Sequence, residues 1–340
     1  MRAPPPGTAL VLGGGGARAA YQAGALKALC ELLPASERNP FPLICAVSGG
    51  AINGALLAAG AVGFAQAVEK LLAFWRGLAP AKVWQGTGRW RRWQSRGAAA
   101  PLDGAPLRQL LEREIDFAAI AAAIDERQLL GASLDCFGLA SGQTVSFFQG
   151  RADLDPWCAE GVVAAHVRLG VDHVLASCAL PLLFEPVRLH REYFADGATG
   201  AWGRAAPLLA ARQLGARRIL RIDAEVAPQP GERTGQIVAP GFSGIMGHFL
   251  ARLHQDAAAC NASVPTLTLT PSRDPALLAV PHVSAMPSFS GWSSGSGARL
   301  ASYLLFGGDY GADLIELGYR DTLARQAELR QFFLDSSVSA

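Results

Sequence analysis

The sequence lacks a long uninterrupted apolar run. Gly, Arg or Pro breaks every hydrophobic stretch before it reaches the roughly 20 residues needed to span a bilayer. A secretory start is also missing, because Met1 and Arg2 lead into Pro4, Pro5 and Pro6 rather than into an apolar segment. We therefore expect a cytoplasmic protein whose contact with a membrane is at most peripheral.

The net charge is small, and the sequence contains no metal-binding pattern. The 30 basic and 28 acidic side chains leave a formal charge of only +2, so no global field favours nucleic acid. The six cysteines form no CxxC pair and have no histidine at zinc-like spacing, and no cluster of carboxylates or histidines indicates another metal. The sequence predicts no nucleic-acid partner, no metal and no cofactor.

Two strand–loop–helix units follow one another near the start of the chain. Ala9–Leu12 is a short apolar run that leads into Gly13–Gly16 and then a helical pattern ending at Pro34. A second apolar run, Leu43–Val47, turns at Ser48-Gly49-Gly50 into another helical pattern. Short buried runs that alternate with helices predict an α/β fold, a three-layer sandwich whose mostly parallel central sheet is flanked by helices.

Ser48 stands at the turn between an apolar run and a helix, which is the context of a nucleophile elbow. Such a turn requires small neighbours, and Ala46 and Gly50 provide the supporting turn here, although the usual pattern has glycine at the position of Ala46. Ser48 is the predicted nucleophile. The alternative is a serine that merely fits a tight turn.

A strict GxSxG sequence occurs elsewhere, around Ser293. No apolar strand precedes it, Pro281 and Pro287 lie just upstream, and no helix start follows. We predict a Ser/Gly-rich loop over residues 284–297 and no nucleophile within it.

Gly13–Gly16 lies at a predicted helix N-terminus and is followed by Ala17 and Arg18. Free backbone N–H groups and the helix dipole favour an anion there, and glycines allow the close approach that a developing oxyanion requires. A P-loop would end in Gly-Lys-Ser/Thr, and a dinucleotide fingerprint would have glycine where Arg18 stands. The loop is therefore interpreted as an oxyanion hole rather than a nucleotide site, and a plain tight turn is the other alternative.

With these two loops and two later segments, the chain resembles the patatin-like phospholipase family. In this chain, LVLGGGGARAAYQAGALKAL is similar to the family's oxyanion segment and AVSGGAINGALLAAG to its nucleophile elbow. ASCALPLLFEPV is similar to the segment before the family's base, and YFADGATG to its Asp-Gly box. The likeness covers residues 8–224, and GGDYGADLIELGYRDT near the end resembles a helix start of bacterial members.

The resemblance implies a serine lipid acyl hydrolase with an acyl lipid or ester substrate, no cofactor and no catalytic histidine. Ser48 would be the nucleophile and Asp196, followed by the small Gly197, its general base. The oxyanion hole would comprise Gly14, Gly15, Gly16 and Arg18. Taken alone, Asp-Gly is more often a β-turn, so its assignment depends on the order of the motifs.

Three positions depart from the family pattern, namely Ala46, Ala19 after the arginine, and Trp202-Gly203-Arg204 in place of Asn-Asn-Pro. Two alternatives therefore stay open. One is a Ser-His-Asp esterase with Asp223 and a later histidine, for which the candidates are His248, His254 and His282. The other is a catalytically inactive lipid- or partner-binding protein that keeps the fold.

We predict a catalytic core over residues 8–225 with a cap or insertion at 82–100, and a helical extension over 226–340 packed on the core. The insertion interleaves Trp84, Trp90 and Trp93 with arginines. Trp favours lipid interfaces and Arg attracts anionic head groups, so this segment is either a membrane-touching cap or an ordinary packed insertion.

Overall fold

Ten strands in the described part of the chain form one central sheet. The computed structural model describes residues 7–33, 39–86, 100–226, 245–246, 249–250, 264–285 and 295–334. The described strands are β1 (Thr8–Leu12), β2 (Leu43–Val47), β3 (Gln85–Gly86), β4 (Leu102–Asp103), β5 (Gly131–Gly138), β6 (Thr144–Gly150), β7 (Cys158–Ala159), β8 (Val162–His166), β9 (Val187–Leu189), β10 (Glu192–Asp196), β11 (Arg218–Ile222) and β12 (Thr266–Leu269). Their order in the sheet is β12-β11-β1-β2-β5-β6-β8-β7, with β10 between β5 and β9, while β3 and β4 form a separate ribbon.

The neighbouring strands from β12 to β5 are all parallel. Antiparallel pairing begins where β5 meets β6 and where β10 joins the carboxyl end of β5. Every residue of β1 and β2 is buried, as expected for strands that helices cover on both faces. The mostly parallel sheet with flanking helices confirms the predicted α/β architecture.

Helices cover both faces of the sheet. The described α-helices are α1 (Ala20–Leu32), α2 (Gly49–Ala59), α3 (Phe64–Arg76), α4 (Pro80–Val83), α5 (Ala105–Glu114), α6 (Ala118–Asp125), α7 (Val171–Ser177), α8 (Ala206–Gln213), α9 (Pro275–Ala279), α10 (Gly295–Leu304), α11 (Gly308–Ala324) and α12 (Gln326–Leu334). Along β1, Leu10 and Leu12 belong to the large core shared with α1, α2 and α3, whereas Ala9 and Val11 belong to a smaller core shared with α8. Successive side chains of a strand point to opposite faces, so the sheet separates the two cores and the fold has three layers.

The C-terminal region contributes a strand to the central sheet in addition to the helices that the sequence predicted. The strand β12 pairs in parallel with β11 and extends the sheet, while α11 packs along α1. A four-residue strand in a region of irregular spacing carries too weak a pattern to be recognised from sequence. Part of the predicted Ser/Gly loop also differs, because α10 already begins at Gly295, and residues 286–294, with Ser293, lie outside the described residues.

Among the described helices, none has by itself both the length and the apolar composition of a membrane span. Only the pair Gly49–Ala59 and Ala61–Arg76 meets these criteria together, and a bend of 75° separates its two members.

Candidate active site

Ser48 occupies the sharp turn between β2 and α2. Its backbone has φ 56° and ψ −132°, and the residue is 1% exposed. A non-glycine residue held in such a sparsely populated conformation costs about 1–3 kcal/mol, which the surrounding structure must offset. The local geometry is that of a nucleophile elbow, with a strained serine between a buried strand and a helix.

Asp196 is the last residue of β10 and lies beside this elbow. The Ser48 hydroxyl donates a 2.6 Å hydrogen bond to Asp196 Oδ2, although 148 positions separate the two residues. The other carboxylate oxygen, Oδ1, accepts the backbone N–H of Ala198 at 2.9 Å, which fixes the orientation of the carboxylate. Asp196 is fully buried. The arrangement brings an acceptor within direct proton-transfer distance of the serine hydroxyl.

Small residues make this close approach feasible. A Cβ on Gly50 would lie 2.5 Å from the carbonyl oxygens of both Leu12 and Gly13, so α2 begins directly against the end of β1. A Cβ on Gly197 would collide with the carbonyl oxygen of Asp135. Gly50 and Gly197, two of the three predicted supporting residues, therefore have no room for a side chain.

Ala46, which departs from the usual elbow pattern, is accommodated by a residue that the sequence analysis missed. A Cβ on Gly54 would lie 2.8 Å from the Ala46 Cβ, so the glycine in α2 leaves room for the extra methyl group in β2. A helix is expected to contain few glycines, and Gly54 inside the α2 pattern was the signal for such a contact.

The glycine loop reaches the elbow through Gly16. A Cβ on Gly49 would lie 2.5 Å from the carbonyl oxygen of Gly16 and 2.9 Å from its amide nitrogen. Gly15 and Gly16 adopt φ values of 151° and 56°, which favour glycine. The N–H groups of Gly14, Gly15, Gly16 and Gly49 make no hydrogen bond within the described residues. The loop therefore holds unused amide donors beside the serine.

Two buried amide side chains hold this loop in place, and the sequence analysis missed both. Gln22 Nε2 donates to the carbonyl oxygen of Gly13 at 2.8 Å. Asn53 Nδ2 donates to the carbonyl oxygen of Ala19 at 3.0 Å and to Gln22 Oε1 at 2.8 Å. A polar side chain among apolar neighbours within the first one and a half turns of each helix, Gln22 in α1 and Asn53 in α2, was the only signal of this role.

The side chain of Arg18 is bound within a buried network. Its Nη1 lies 2.5 Å from Glu225 Oε2, its Nε and Nη2 donate to Ser302 Oγ at 2.8 and 2.5 Å, and its guanidinium carbon lies 4.0 Å from the centre of the Tyr303 ring. Burial opposes the charge of Arg18, yet its pKa is raised because Glu225 lies beside it. The side chain thus ties the glycine loop to α10, and a role of Arg18 in the oxyanion hole stays a prediction.

A cavity of about 740 Å³ opens onto Ser48, and Gly16 and Gly49 also line it. Its buried apolar lining includes Ile52, Val83, Leu107, Leu180, Leu304 and Phe306. Its exposed or half-buried charged lining comprises Asp103, Arg108, Asp172, Glu185 and Arg188. An apolar interior with charges at the mouth is suited to a ligand with a hydrocarbon chain and a polar end.

The predicted membrane contact is wrong for Trp84. This side chain is 3% exposed, and its indole N–H donates to the carbonyl oxygen of Leu304 at 3.0 Å, so it packs beside the cavity instead of facing lipid. The prediction failed because a sequence pattern of alternating Trp and Arg does not indicate which tryptophans are buried in the core. Trp90 and Trp93 lie outside the described residues.

No histidine lines the cavity within the described part of the chain. His282 Nε2 lies 2.8 Å from Asp313 Oδ2 in the C-terminal region, and Asp223 pairs with Arg221 at 3.0 Å. His248 and His254 lie outside the described residues. The same part of the chain contains no group of three or more His, Cys, Asp or Glu side chains that could hold a metal ion.

Fold and site together define an α/β protein that carries a serine–aspartate pair at a strand-to-helix elbow. The patatin-like phospholipase family model matches residues 10–211. The chain belongs to the patatin-like phospholipase family, and this membership indicates a lipid acyl hydrolase. No curated protein matches the chain.

Two solved structures are similar over most of this chain. VipD from Legionella pneumophila has a TM-score of 0.41 and 11% identity, over 95% of this chain and 67% of VipD. The type III effector protein ExoU has a TM-score of 0.35 and 16% identity, over 98% of this chain and 54% of ExoU. The chain therefore spans about two thirds of the length of VipD and about half that of ExoU.

Proposed function

We propose that this protein is a serine lipid acyl hydrolase that cleaves carboxylic esters of phospholipids or related acyl lipids through a Ser48–Asp196 dyad. The observation that carries the proposal is the 2.6 Å hydrogen bond from Ser48 Oγ to Asp196 Oδ2 beside a cavity with an apolar lining. Family membership supports the lipid substrate.

In the first half-reaction, Asp196 takes the hydroxyl proton while Ser48 Oγ bonds to the ester carbonyl carbon. The carbonyl oxygen becomes an oxyanion, and the unused N–H groups of Gly14, Gly15 and Gly16 stabilise it. The bond from the carbonyl carbon to the alcohol oxygen then breaks. Asp196 returns its proton to that oxygen, which leaves an acyl-enzyme on Ser48.

In the second half-reaction, a water molecule loses a proton to Asp196 and its oxygen bonds to the acyl carbon. The same oxyanion position is used again. The bond from the acyl carbon to Ser48 Oγ then breaks, and Oγ regains the proton from Asp196. The products are a free carboxylic acid and the original enzyme.

The cavity supports an acyl lipid as the substrate class. Its apolar lining accommodates a hydrocarbon chain, while the charged residues at its mouth face the polar end of the molecule. We propose that the protein contacts lipid surfaces peripherally through Trp90, Trp93 and the arginines near them. Co-sedimentation with phospholipid vesicles tests this point, and equal binding by a variant with both tryptophans changed to Ala would exclude it.

Two of the three departures from the family pattern do not favour the inactive alternative. The extra methyl group of Ala46 fits against Gly54, and the hydrogen bond between Ser48 and Asp196 is formed although Trp202-Gly203-Arg204 follows the base. These two departures therefore leave the serine–aspartate pair intact.

Covalent labelling with a fluorophosphonate, followed by peptide mapping, tests the proposal. We expect the label on Ser48, no label in Ser48→Ala, and at least about 100-fold slower labelling and ester hydrolysis in Asp196→Asn. Ser293→Ala serves as a control, and His248→Ala, His254→Ala and His282→Ala should each retain activity. A folded parent protein that is neither labelled nor active would support the inactive alternative, and loss of activity in one histidine variant alone would support a Ser-His-Asp site.

A further inference from the structure

The N–H group of the strained Ser48 is held by a side chain from another element. Ser48 N–H donates to Ser177 Oγ at 2.9 Å, and Ser177 Oγ donates to the carbonyl oxygen of Asp135 at 2.7 Å. The direction of both bonds is fixed, because an amide can only donate and a carbonyl can only accept. The Ser177 hydroxyl, at the end of α7, thus connects the elbow to β5.

The next two residues contact the other side of the elbow and the base. Cys178 Sγ donates to the carbonyl oxygen of Ser48 at 3.0 Å. The carbonyl oxygen of Ala179 accepts the N–H of Asp196 at 2.9 Å. Residues 177–179 therefore bind both backbone polar groups of the serine and the backbone amide of the aspartate.

Cys178 is suited to act as a donor. Burial, together with the nearby charge of Asp196, raises the pKa of its thiol well above the ordinary value. The group consequently stays protonated at neutral pH and keeps the hydrogen that it donates to Ser48.

We propose that residues 177–179, here named the dyad clamp, set the separation between Ser48 Oγ and Asp196 Oδ2, and that Ser177 is a positioning residue of the site. The strained turn at Ser48 leaves its N–H without a partner in the sheet ladder or in α2, and Ser177 supplies that partner. The geometric claim stands by itself, whereas its kinetic consequence rests on the proposed function.

Ser177 acts through the serine and not on the substrate. It is fully buried and does not line the cavity, although its neighbours Leu175, Cys178 and Ala179 do. A substrate would therefore bind equally well with or without this hydroxyl, while the reacting atoms would be misplaced. Small misplacements of reacting groups lower turnover strongly.

The test compares Ser177→Ala with the parent and with a matched control. We expect Ser177→Ala to lower kcat by roughly 10- to 100-fold and to change KM by less than about twofold. Ser177→Thr, which keeps the hydroxyl, should recover much of the loss. Ser133→Ala removes an equally buried hydroxyl from β5 and should leave kcat unchanged, because Ser133 lies on the opposite face of the strand from Cys136, the residue that pairs with Asp196.

An unchanged kcat in folded Ser177→Ala would overturn the proposal, as would an equal loss in Ser133→Ala. If Ser177→Ala fails to fold, the pair Cys178→Ser and Cys178→Ala replaces it. The serine variant keeps a donor to the Ser48 carbonyl and should be the more active of the two, and equal activities would count against the clamp.

An inactive parent would refute the proposed function without deciding the clamp. Crystal structures of the parent and of Ser177→Ala decide it in that case. We expect Ser48 Oγ and Asp196 Oδ2 to move out of hydrogen-bonding distance in the variant. Retention of the 2.6 Å separation would refute the clamp.

Discussion

The ion pair between Arg18 and Glu225 provides the sharpest test of how the glycine loop is held. Glu225→Gln keeps the shape of the side chain but removes the charge that faces the guanidinium at 2.5 Å. Glu225 Oε1 also accepts the Tyr303 hydroxyl at 2.6 Å. The amide of glutamine has only one oxygen, so its NH2 group would face either Arg18 or Tyr303, both of which donate to separate oxygens of the carboxylate.

The burial of the ion pair determines how much stability Glu225→Gln should lose. Removing one partner of a buried ion pair costs about 3–5 kcal/mol, since the other charge stays buried without compensation. The Arg18 side chain is 1% exposed and that of Glu225 is 10% exposed, so some water reaches the pair and we expect the lower end, about 3 kcal/mol. At roughly 2 °C per kcal/mol for a chain of this size, Tm should fall by about 6 °C.

Urea and thermal unfolding of four proteins measure this effect: the parent, Glu225→Gln, Arg18→Met and the double variant. The double variant should be no less stable than Glu225→Gln alone, because it no longer buries an unpaired charge. Asp153→Asn breaks the exposed pair with Arg151 and should leave the stability close to that of the parent. A loss in Glu225→Gln no larger than in Asp153→Asn would refute the reasoning.

Three further predictions concern packing and pH. Gly50→Ala should cost more than about 3 kcal/mol in urea unfolding, because the new Cβ would collide with two backbone carbonyl oxygens, whereas Gly86→Ala has open space and should be nearly neutral. Ala46→Gly restores the common elbow residue, yet it should lower stability by about 1 kcal/mol through backbone entropy, and unchanged stability would contradict this. Burial raises the pKa of Asp135 to about 7 against a smaller opposing effect of Ser146, so its protonated form is favoured in the folded state. This contribution to stability is fully present below about pH 4 and is lost as pH rises to about 7. Urea unfolding from pH 4 to 8 should therefore show a loss of stability in the parent that Asp135→Asn lacks. An identical pH profile of the two proteins would exclude Asp135 as its source.

The sequence alone predicted the features that depend on local patterns. A short apolar run, a glycine-rich turn and a helical repeat are adjacent in the chain, so the elbow at Ser48 and the loop at Gly13–Gly16 could be recognised without knowing their neighbours. The alternation of such units predicted the α/β architecture, which the structure confirms. The order of the four motifs predicted the family, which the match over residues 10–211 confirms.

Contacts between distant segments were decided by the tertiary structure. Arg18 meets Glu225 across 207 positions and Ser302 across 284, and nothing near Arg18 in the chain specifies these partners. Trp84 is buried against Leu304, although its sequence neighbourhood is typical of a surface segment.

The dyad clamp also depends on contacts between distant segments, so the sequence did not predict it. The segment ASCALP was recognised only as part of a motif, and its contacts with Ser48 and Asp196 form where α7 ends beside β2 and β10. Periodicity reports which face of an element is apolar, but it does not report which polar group a neighbouring element will present to it. Long-range pairing depends on how the elements pack, so only the folded chain determines it.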